Sequence, residues 1–334
     1  MPVRILTQPQ VTQLLTMPAC VDLMDQTLRT LTRGGAILPL RTMLRLPEGR
    51  GVFGSMPAYL NPPNAIGLKA LTVLPGNEGT RYDSHQGVVL LFEAEHGSLT
   101  AILDASSVTA IRTAAVSGVA TRALANPDAG DLAILGSGVQ AMTHLDAMAA
   151  VRTLRRVRVY SRNPVNVARF VAETRGRHGV TAEAAGSVEE ALLGADLICT
   201  VTSVRQPIVE RRWVATGAHL NVVGASLAAA REIDSDTVAA ARFYADRRES
   251  LLAESGDFLI PKSEGRFGDD HLIGELGEVL EGTAPGRLHR SDLTLFKSLG
   301  LAIEDVASAH YVAAEAERLG IGTVIEIGGL RHEA

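Results

Sequence analysis

The sequence predicts an α/β protein in which a domain built on a parallel sheet is inserted into a discontinuous α+β domain. Three observations carry this reading. Between residues 38 and 104 the chain consists of short, alternating or β-branched segments punctuated by Gly, Pro and Asn, the pattern of an antiparallel sheet. From residue 131 onward apolar strand runs alternate with helical periodicity, the pattern of a parallel sheet covered by helices on both faces. A terminal segment, Gly322-Thr-Val-Ile-Glu-Ile327, reads as a strand able to return to the first sheet. The expected boundaries are residues 1–112 plus 306–334 for the first domain and 113–305 for the inserted one.

In order along the chain, Met1-Pro-Val-Arg-Ile-Leu-Thr7 reads as a strand rather than a signal sequence. Residues 19–34 place apolar side chains at helical spacing and stop at Gly34-Gly35. Strands follow near 38–45, 51–60, 66–74, 86–94 and 98–104, the last two joined by a hairpin turn at Glu95-His96-Gly97-Ser98. An Ala-, Val- and Thr-rich helix over 108–125 is closed by Asn126-Pro127. In the inserted domain, strands are expected at 131–135, 156–160, 196–201, 218–223 and 241–245, with helices at 138–150, 164–178 and 188–194. Helical stretches interrupted at Gly300 are expected within 294–318.

Composition narrows the function classes. With 334 residues the chain exceeds what one hydrophobic core usually supports, which agrees with two domains. An apolar fraction of 46% excludes general disorder. A net charge of −5 without a basic run gives no electrostatic footprint for nucleic acid. Cys20 and Cys199 are far apart in apolar contexts, which argues against a disulfide framework and suits a reducing cytoplasm. His271, His289 and His310 are scattered without metal-ligand spacing, so no metal is expected. No apolar stretch is long enough to span a bilayer.

The most informative stretch is residues 132–141, Leu-Ala-Ile-Leu-Gly-Ser-Gly-Val-Gln-Ala. A buried strand ending in G-x-G-x-x-A, followed by a helix, lets a dinucleotide pyrophosphate approach the backbone at the helix N-terminus. The inserted domain is therefore read as a Rossmann domain. Gly136 permits the tight turn, Gly138 removes a side chain that would block the phosphates, and Ala141 keeps helix and sheet close. After the second strand stands Ser161-Arg162-Asn163, where an acid would otherwise accept from the adenosine ribose. A hydroxyl and a guanidinium suit a 2′-phosphate, which favours NADP(H) and leaves NAD(H) open. Thr200-Val201-Thr202-Ser203 and Val222-Val223-Gly224 end further strands whose carboxyl ends should face the cofactor.

The first domain places three cations among apolar neighbours: Arg41, Lys69 and Arg112. Arg41 and Lys69 are read as mid-strand. Buried cations need a partner, and no matching acid adjoins them in sequence, so a bound carboxylate is expected to supply the charge.

The combination resembles the ornithine cyclodeaminase/μ-crystallin family over nearly the whole chain. The matching stretches are Gly67-Leu-Lys69, Ser84-His85-Gln86, Ala110-Ile-Arg-Thr-Ala-Ala115, Gly136-Ser-Gly-Val-Gln-Ala141, Val223-Gly-Ala-Ser226 with Arg231-Glu232, and Phe296-Lys-Ser-Leu-Gly-Leu-Ala-Ile-Glu-Asp305. The resemblance implies a homodimer formed through the first domain, with NAD(P)(H) in the second. It further implies that Arg41, Lys69 and Arg112 hold a substrate carboxylate. Gly136, Gly138, Val139 and Gln140 would meet the pyrophosphate, with Thr113 adding a phosphate contact and Ser298-Leu-Gly300 lying by the nicotinamide. Cyclodeaminases of the family carry an Asp where this chain has Ser226, and serine without an activator is a poor base. The Gly-Ala-Ser form resembles instead the branch that reduces ketimines.

The expected activity is therefore reduction of Δ1-pyrroline-2-carboxylate or Δ1-piperideine-2-carboxylate to L-proline or L-pipecolate. Lys69 is the first choice for the proton, and His85 beside Ser84 the second. The alternatives are an ornithine cyclodeaminase, an amino-acid dehydrogenase such as alanine dehydrogenase, and a non-catalytic NADPH-binding protein. Plain structural readings are given to Asp234 and Asp236 (surface or helix start), to Glu254-Ser-Gly-Asp257 (helix cap or solvent), to Met142 and His144 (core and rim), and to Trp213 (packing).

Overall fold

The structure is a computed structural model that describes residues 1–77 and 79–329. The last residues of the expected terminal piece, 330–334, lie outside it. The chain divides into two compact units, Met1–Arg112 with Leu301–Ala334, and Thr113–Gly300.

The first unit is built on an eight-stranded sheet. The N-terminal strand Pro2–Leu6 pairs antiparallel with the terminal strand Thr323–Glu326 and parallel with Leu99–Asp104. From there the ladder is antiparallel through His85–Glu93, Ala65–Val73 and Val52–Leu60, and the last of these also carries the short strands Ala36–Ile37 and Thr42–Arg45. Alternation puts Met56, Ala58, Leu60, Val89, Leu91, Ala101 and Leu103 on the buried face. The helix Met17–Thr32 contributes Cys20, Val21, Met24 and Leu28 to that core. The helix Ala302–Leu319 contributes Ile303, Val306, Ala309 and Val312. The two meet each other, and the second also lies on the strands Val52–Leu60 and Ala65–Val73. Gly67 sets how closely, since a Cβ there would stand 2.6 Å from Val306 Cγ2. Gly97, at φ +73°, supplies the left-handed residue of the expected hairpin.

The second unit is a doubly wound parallel sheet of eight strands. Their order is Ala182–Ala184, Arg156–Tyr160, Asp131–Leu135, Leu197–Thr200, His219–Val222, Thr294–Lys297, Arg242–Ala245 and Leu272–Glu275. The strand Asp131–Leu135 lies between Arg156–Tyr160 and Leu197–Thr200, so the winding reverses at its carboxyl end, the ligand crevice of such folds. Cys199 and Cys20 are both buried and free.

Three expectations need correction. Residues 294–297 form an inner strand rather than a helix. All four residues are fully buried, and the polar Thr294 and Lys297 at its ends break the continuous apolar run by which a strand buried on both faces is recognised. The helix expected over 164–178 ends at Glu173, with Gly176 at φ +72° turning the chain away. The second unit boundary falls between Gly300 and Leu301 rather than after Asp305, because Glu304 and Asp305 bond to Arg112 and Lys69 of the first unit.

Candidate active site

Lys69 sits in the middle of the strand Ala65–Val73 with 2% of its surface exposed, on the face covered by the helix Ala302–Leu319. Asp305, in the first turn of that helix, pairs with Lys69 Nζ at 2.7 Å. Arg112, on the helix Ala105–Leu124, donates from Nε to Asp305 Oδ1 at 3.0 Å and from Nη1 to Glu304 Oε2 at 2.5 Å. Lys69 and Arg112 thus already have acidic partners, contrary to the expectation that a bound carboxylate supplies the charge. The acids come from a segment remote in sequence, which Gly67 admits to the strand by its lack of a side chain.

The cations retain unused donors. Arg112 Nη2 makes no protein hydrogen bond among the described residues, and Lys69 Nζ has only Asp305 and a long 3.4 Å contact with Thr109 Oγ1. Burial and the neighbouring Arg112 push the Lys69 pKa down to about 8, against the opposing pull of Asp305. Burial works against the Arg112 charge too, but Asp305 and Glu304 outweigh it and hold that pKa above its usual value.

Arg41 is half-buried in the segment just before the strand Thr42–Arg45 rather than mid-strand. The register Thr42↔Ser55 and Met56↔Lys69 places it two strands from Lys69. Ser84 Oγ lies 3.1 Å from His85 Nδ1 at the start of the strand His85–Glu93. Desolvation and the Lys69 charge lower the His85 pKa.

In the second unit, Gly136 adopts φ +122°, and a Cβ there would meet the Val201 carbonyl at 2.7 Å. Gly138 occupies the N-cap of the helix Val139–Val151, with open space where its Cβ would point. Gln140 Oε1 is buried without a partner among the described residues at the same helix start, Val139 is exposed, and Ala141 is fully buried. Backbone N–H groups, a helix N-terminus and an unfilled space over glycine fit a pyrophosphate. Thr113 is buried next to Arg112 in the chain. Ser161 and Arg162 follow the strand Arg156–Tyr160, with Arg162 exposed. Asn163, expected to meet the cofactor, uses its side chain to cap the helix Pro164–Glu173, accepting from Val165 N at 3.0 Å and Asn166 N at 3.3 Å.

At the carboxyl ends of the central strands stands a buried polar network that the sequence reading missed. Glu232 accepts from Thr200 Oγ1 at 2.8 Å, Thr202 N at 2.9 Å, Thr202 Oγ1 at 2.6 Å and Gly224 N at 2.7 Å. The hydroxyls of Thr200 and Thr202, expected to face the cofactor, are therefore committed to Glu232. Burial and Asp257 raise the Glu232 pKa, while Lys297 and Thr202 oppose them. Asp257 is fully buried rather than solvated: it accepts from Glu232 N and Ile233 N, and from Lys297 Nζ at 3.0 Å. Lys297 Nζ also donates to the Ala225 carbonyl. Leu299 N and Gly300 N donate to Asp246, beside the buried Ser298. Val223 and Ser226 are half-buried. The bond from the Glu232 backbone N–H to Asp257, and that from Lys297 to Asp257, left no local sign, although Glu232 and Lys297 both fall within the matching stretches.

The plain readings fare unevenly. Asp234 caps the helix Ser235–Ala240, and Trp213 packs against the core. His144 is fully buried, bonded through Nδ1 to the Gln140 carbonyl and through Nε2 to Ser117 Oγ. Among the described residues no cluster of three or more His, Cys, Asp or Glu could hold a metal ion.

The family profile described as Ornithine cyclodeaminase/mu-crystallin family matches residues 2–319. The chain belongs to this family. Its relatives include the ketimine reductase mu-crystallin of Mus musculus, 40% identical over 279 residues, 84% of this chain and 85% of the relative. A Δ1-pyrroline-2-carboxylate reductase of Bacillus cereus is 34% identical over 291 residues, 87% of this chain and 89% of that protein. Among solved structures of the family's fold, the Thermococcus litoralis Δ1-pyrroline-2-carboxylate reductase in complex with NADH and L-proline superposes with a TM-score of 0.93. It is 35% identical and covers 96% of this chain and 99% of that one. An archaeal alanine dehydrogenase dimer with bound NAD gives a TM-score of 0.92 at 30% identity, covering 98% of this chain and 100% of that one.

Proposed function

We propose that this chain reduces a cyclic α-imino acid, Δ1-pyrroline-2-carboxylate or Δ1-piperideine-2-carboxylate, to L-proline or L-pipecolate with NAD(P)H. The observation that carries this reading is the buried Lys69–Asp305–Arg112 cluster, in which two cations are held rigid by one acid yet keep donors for a ligand. Rigid donors lose little freedom on gripping a carboxylate, and fixing the substrate at the reacting carbon lowers the barrier by several kcal/mol, on the order of the effective-molarity effect. The nicotinamide, when bound, supplies the hydride.

Lys69 is the group we assign both to gripping the substrate carboxylate beside Arg112 and to handing a proton to the imine nitrogen. With its pKa at about 8 it carries a proton at neutral pH and yields it more readily than an ordinary lysine. Arg112, whose charge the two acids secure, holds the carboxylate through Nη2. By the family resemblance, Arg41, Ser84 and His85 are assigned to the substrate as well. Gly136, Gly138 and the helix start at Val139 and Gln140 would take the pyrophosphate. Ser161 and Arg162 support NADP(H) over NAD(H): Arg162→Ala should raise the KM for NADPH about tenfold, as expected for one charged hydrogen bond, and leave that for NADH unchanged.

A homodimer is part of the proposal, supported by exposed Ile37, Leu44, Phe53 and Ile66 on the strands of the first unit. So is a cytoplasmic location, in keeping with two free thiols; no helix among the described residues is long and apolar enough to cross a membrane. The likeness to alanine dehydrogenase favours a second reading, oxidation of an open-chain amino acid. Ser226, which offers no carboxylate, speaks against a cyclodeaminase. The deciding experiment follows NADPH and NADH consumption by purified enzyme with both imino acids, and NAD(P)+ reduction with L-alanine. Consumption with a cyclic imine carries the proposal; reduction with alanine alone, or no turnover at all, ends it.

A further inference from the structure

We propose that Glu232 is a positioning residue for the nicotinamide end of the cofactor, its carboxylate tying together the loops that end the central strands without itself touching the cofactor. The inference rests on the nicotinamide-dependent reading above. Thr200–Ser203 leaves the strand Leu197–Thr200, and Val223–Ser226 leaves its neighbour His219–Val222. The two loops touch backbone to backbone: a Cβ on Gly224 would stand 2.1 Å from the Thr202 carbonyl oxygen and 2.4 Å from its nitrogen. Glu232 closes this junction with both oxygens, Oε1 on Thr202 and Oε2 on Thr200 and Gly224. Its own backbone N–H is held by Asp257, whose second oxygen takes Lys297 Nζ immediately before Ser298–Gly300. Three segments at the ligand edge of the sheet are thereby linked through buried hydrogen bonds and the Lys297–Asp257 ion pair.

The bond pattern says why the residue must be an acid. Each carboxylate oxygen receives a backbone N–H, from Thr202 on one side and Gly224 on the other, and a backbone N–H cannot turn to accept. A glutamine offers one oxygen only, so one loop would face an amide N–H and move away. The sheet beneath is held by its own apolar core, including Leu135, Ile198, Leu220, Val222 and Leu295. The displacement therefore falls on the crevice.

The test compares wild type with Glu232→Gln by titration against NAD(P)H and against ADP-ribose and its 2′-phosphate, which lack the nicotinamide. Emission of the bound reduced nicotinamide serves as a second readout. The expected result is NAD(P)H affinity weakened by about tenfold or more, as for the loss of a hydrogen bond to a charged group, with ADP-ribose affinity unchanged and the emission shifted toward that of free cofactor. Thr202→Val, which removes one hydroxyl donor, should show the same split at roughly threefold, and Thr202→Ser should restore it. Should Glu232→Gln not fold, the Thr202 pair decides by the same comparison. Equal weakening of both ligands, or unchanged NAD(P)H affinity, overturns the positioning role. Wild type that binds no NAD(P)H overturns the nicotinamide reading itself.

Discussion

Replacing Asp305 by asparagine removes the acid that bridges Lys69 and Arg112 while keeping its shape. Asp305 raises the Lys69 pKa through its charge and its hydrogen bond at 2.7 Å, against burial and Arg112, with the balance at about 8. A hydrogen bond to a charged group contributes roughly 1.5–3 kcal/mol, and one pKa unit corresponds to about 1.4 kcal/mol. The substitution should thus lower the Lys69 pKa by roughly one to two units. Lys69 grips a carboxylate only as a cation, so affinity is full below its pKa and declines as pH rises through it. The assay is inhibition by pyrrole-2-carboxylate, a planar cyclic carboxylate whose charge is constant across the neutral range, so that substrate titration does not enter. Wild type should lose affinity around the Lys69 value of about 8, and Asp305→Asn should lose it at correspondingly lower pH. An unmoved midpoint, or one moved upward, would refute the assignment of Lys69 as the carboxylate-binding cation tuned by Asp305.

Arg112→Ala removes the cation bonded to the buried Glu304 and Asp305, with Asp305 keeping Lys69, and should cost about 3 kcal/mol in urea unfolding, besides abolishing turnover. Dinucleotide affinity of the folded variant should stay near wild type, which a titration will check. Gly67→Ala would press a methyl group to 2.6 Å from Val306 Cγ2, and the overpacking should destabilise by about 1–3 kcal/mol in the same measurement. The buried His144 and His219 have pKa values lowered to about 4 and about 3 from 6.5, chiefly by burial. Their contribution to stability is present above 6.5 and is lost as pH falls through those folded-state values, because the unfolded chain takes up the protons first. Unfolding midpoints measured at falling pH should drop accordingly, and less steeply in His219→Gln.

Much of the fold could be read without coordinates because its signals are local. The strand, glycine turn and helix over residues 131–151, the hairpin at Gly97, and the terminal strand each declare themselves through periodicity or turn chemistry. Lys69 and Arg112 stood out for a related reason: a cation among apolar neighbours is anomalous in the sequence itself. Tertiary structure decided who answers those charges. Asp305 and Glu304 lie on a helix far along the chain, and only its close approach over Gly67 brings them to the cations. The same holds for Asp257, which reads as a helix cap or a solvated acid until the fold buries it and bonds it to the Glu232 N–H and Lys297 Nζ. The strand Thr294–Lys297 was hidden because burial on both faces erases alternation and its buried polar ends, Thr294 and Lys297, interrupt the apolar run. Periodicity records which side of an element meets water, so the sequence alone determined the layers and the charged anomalies. Pairing between distant buried groups leaves no periodic trace, and that part belonged to the tertiary structure.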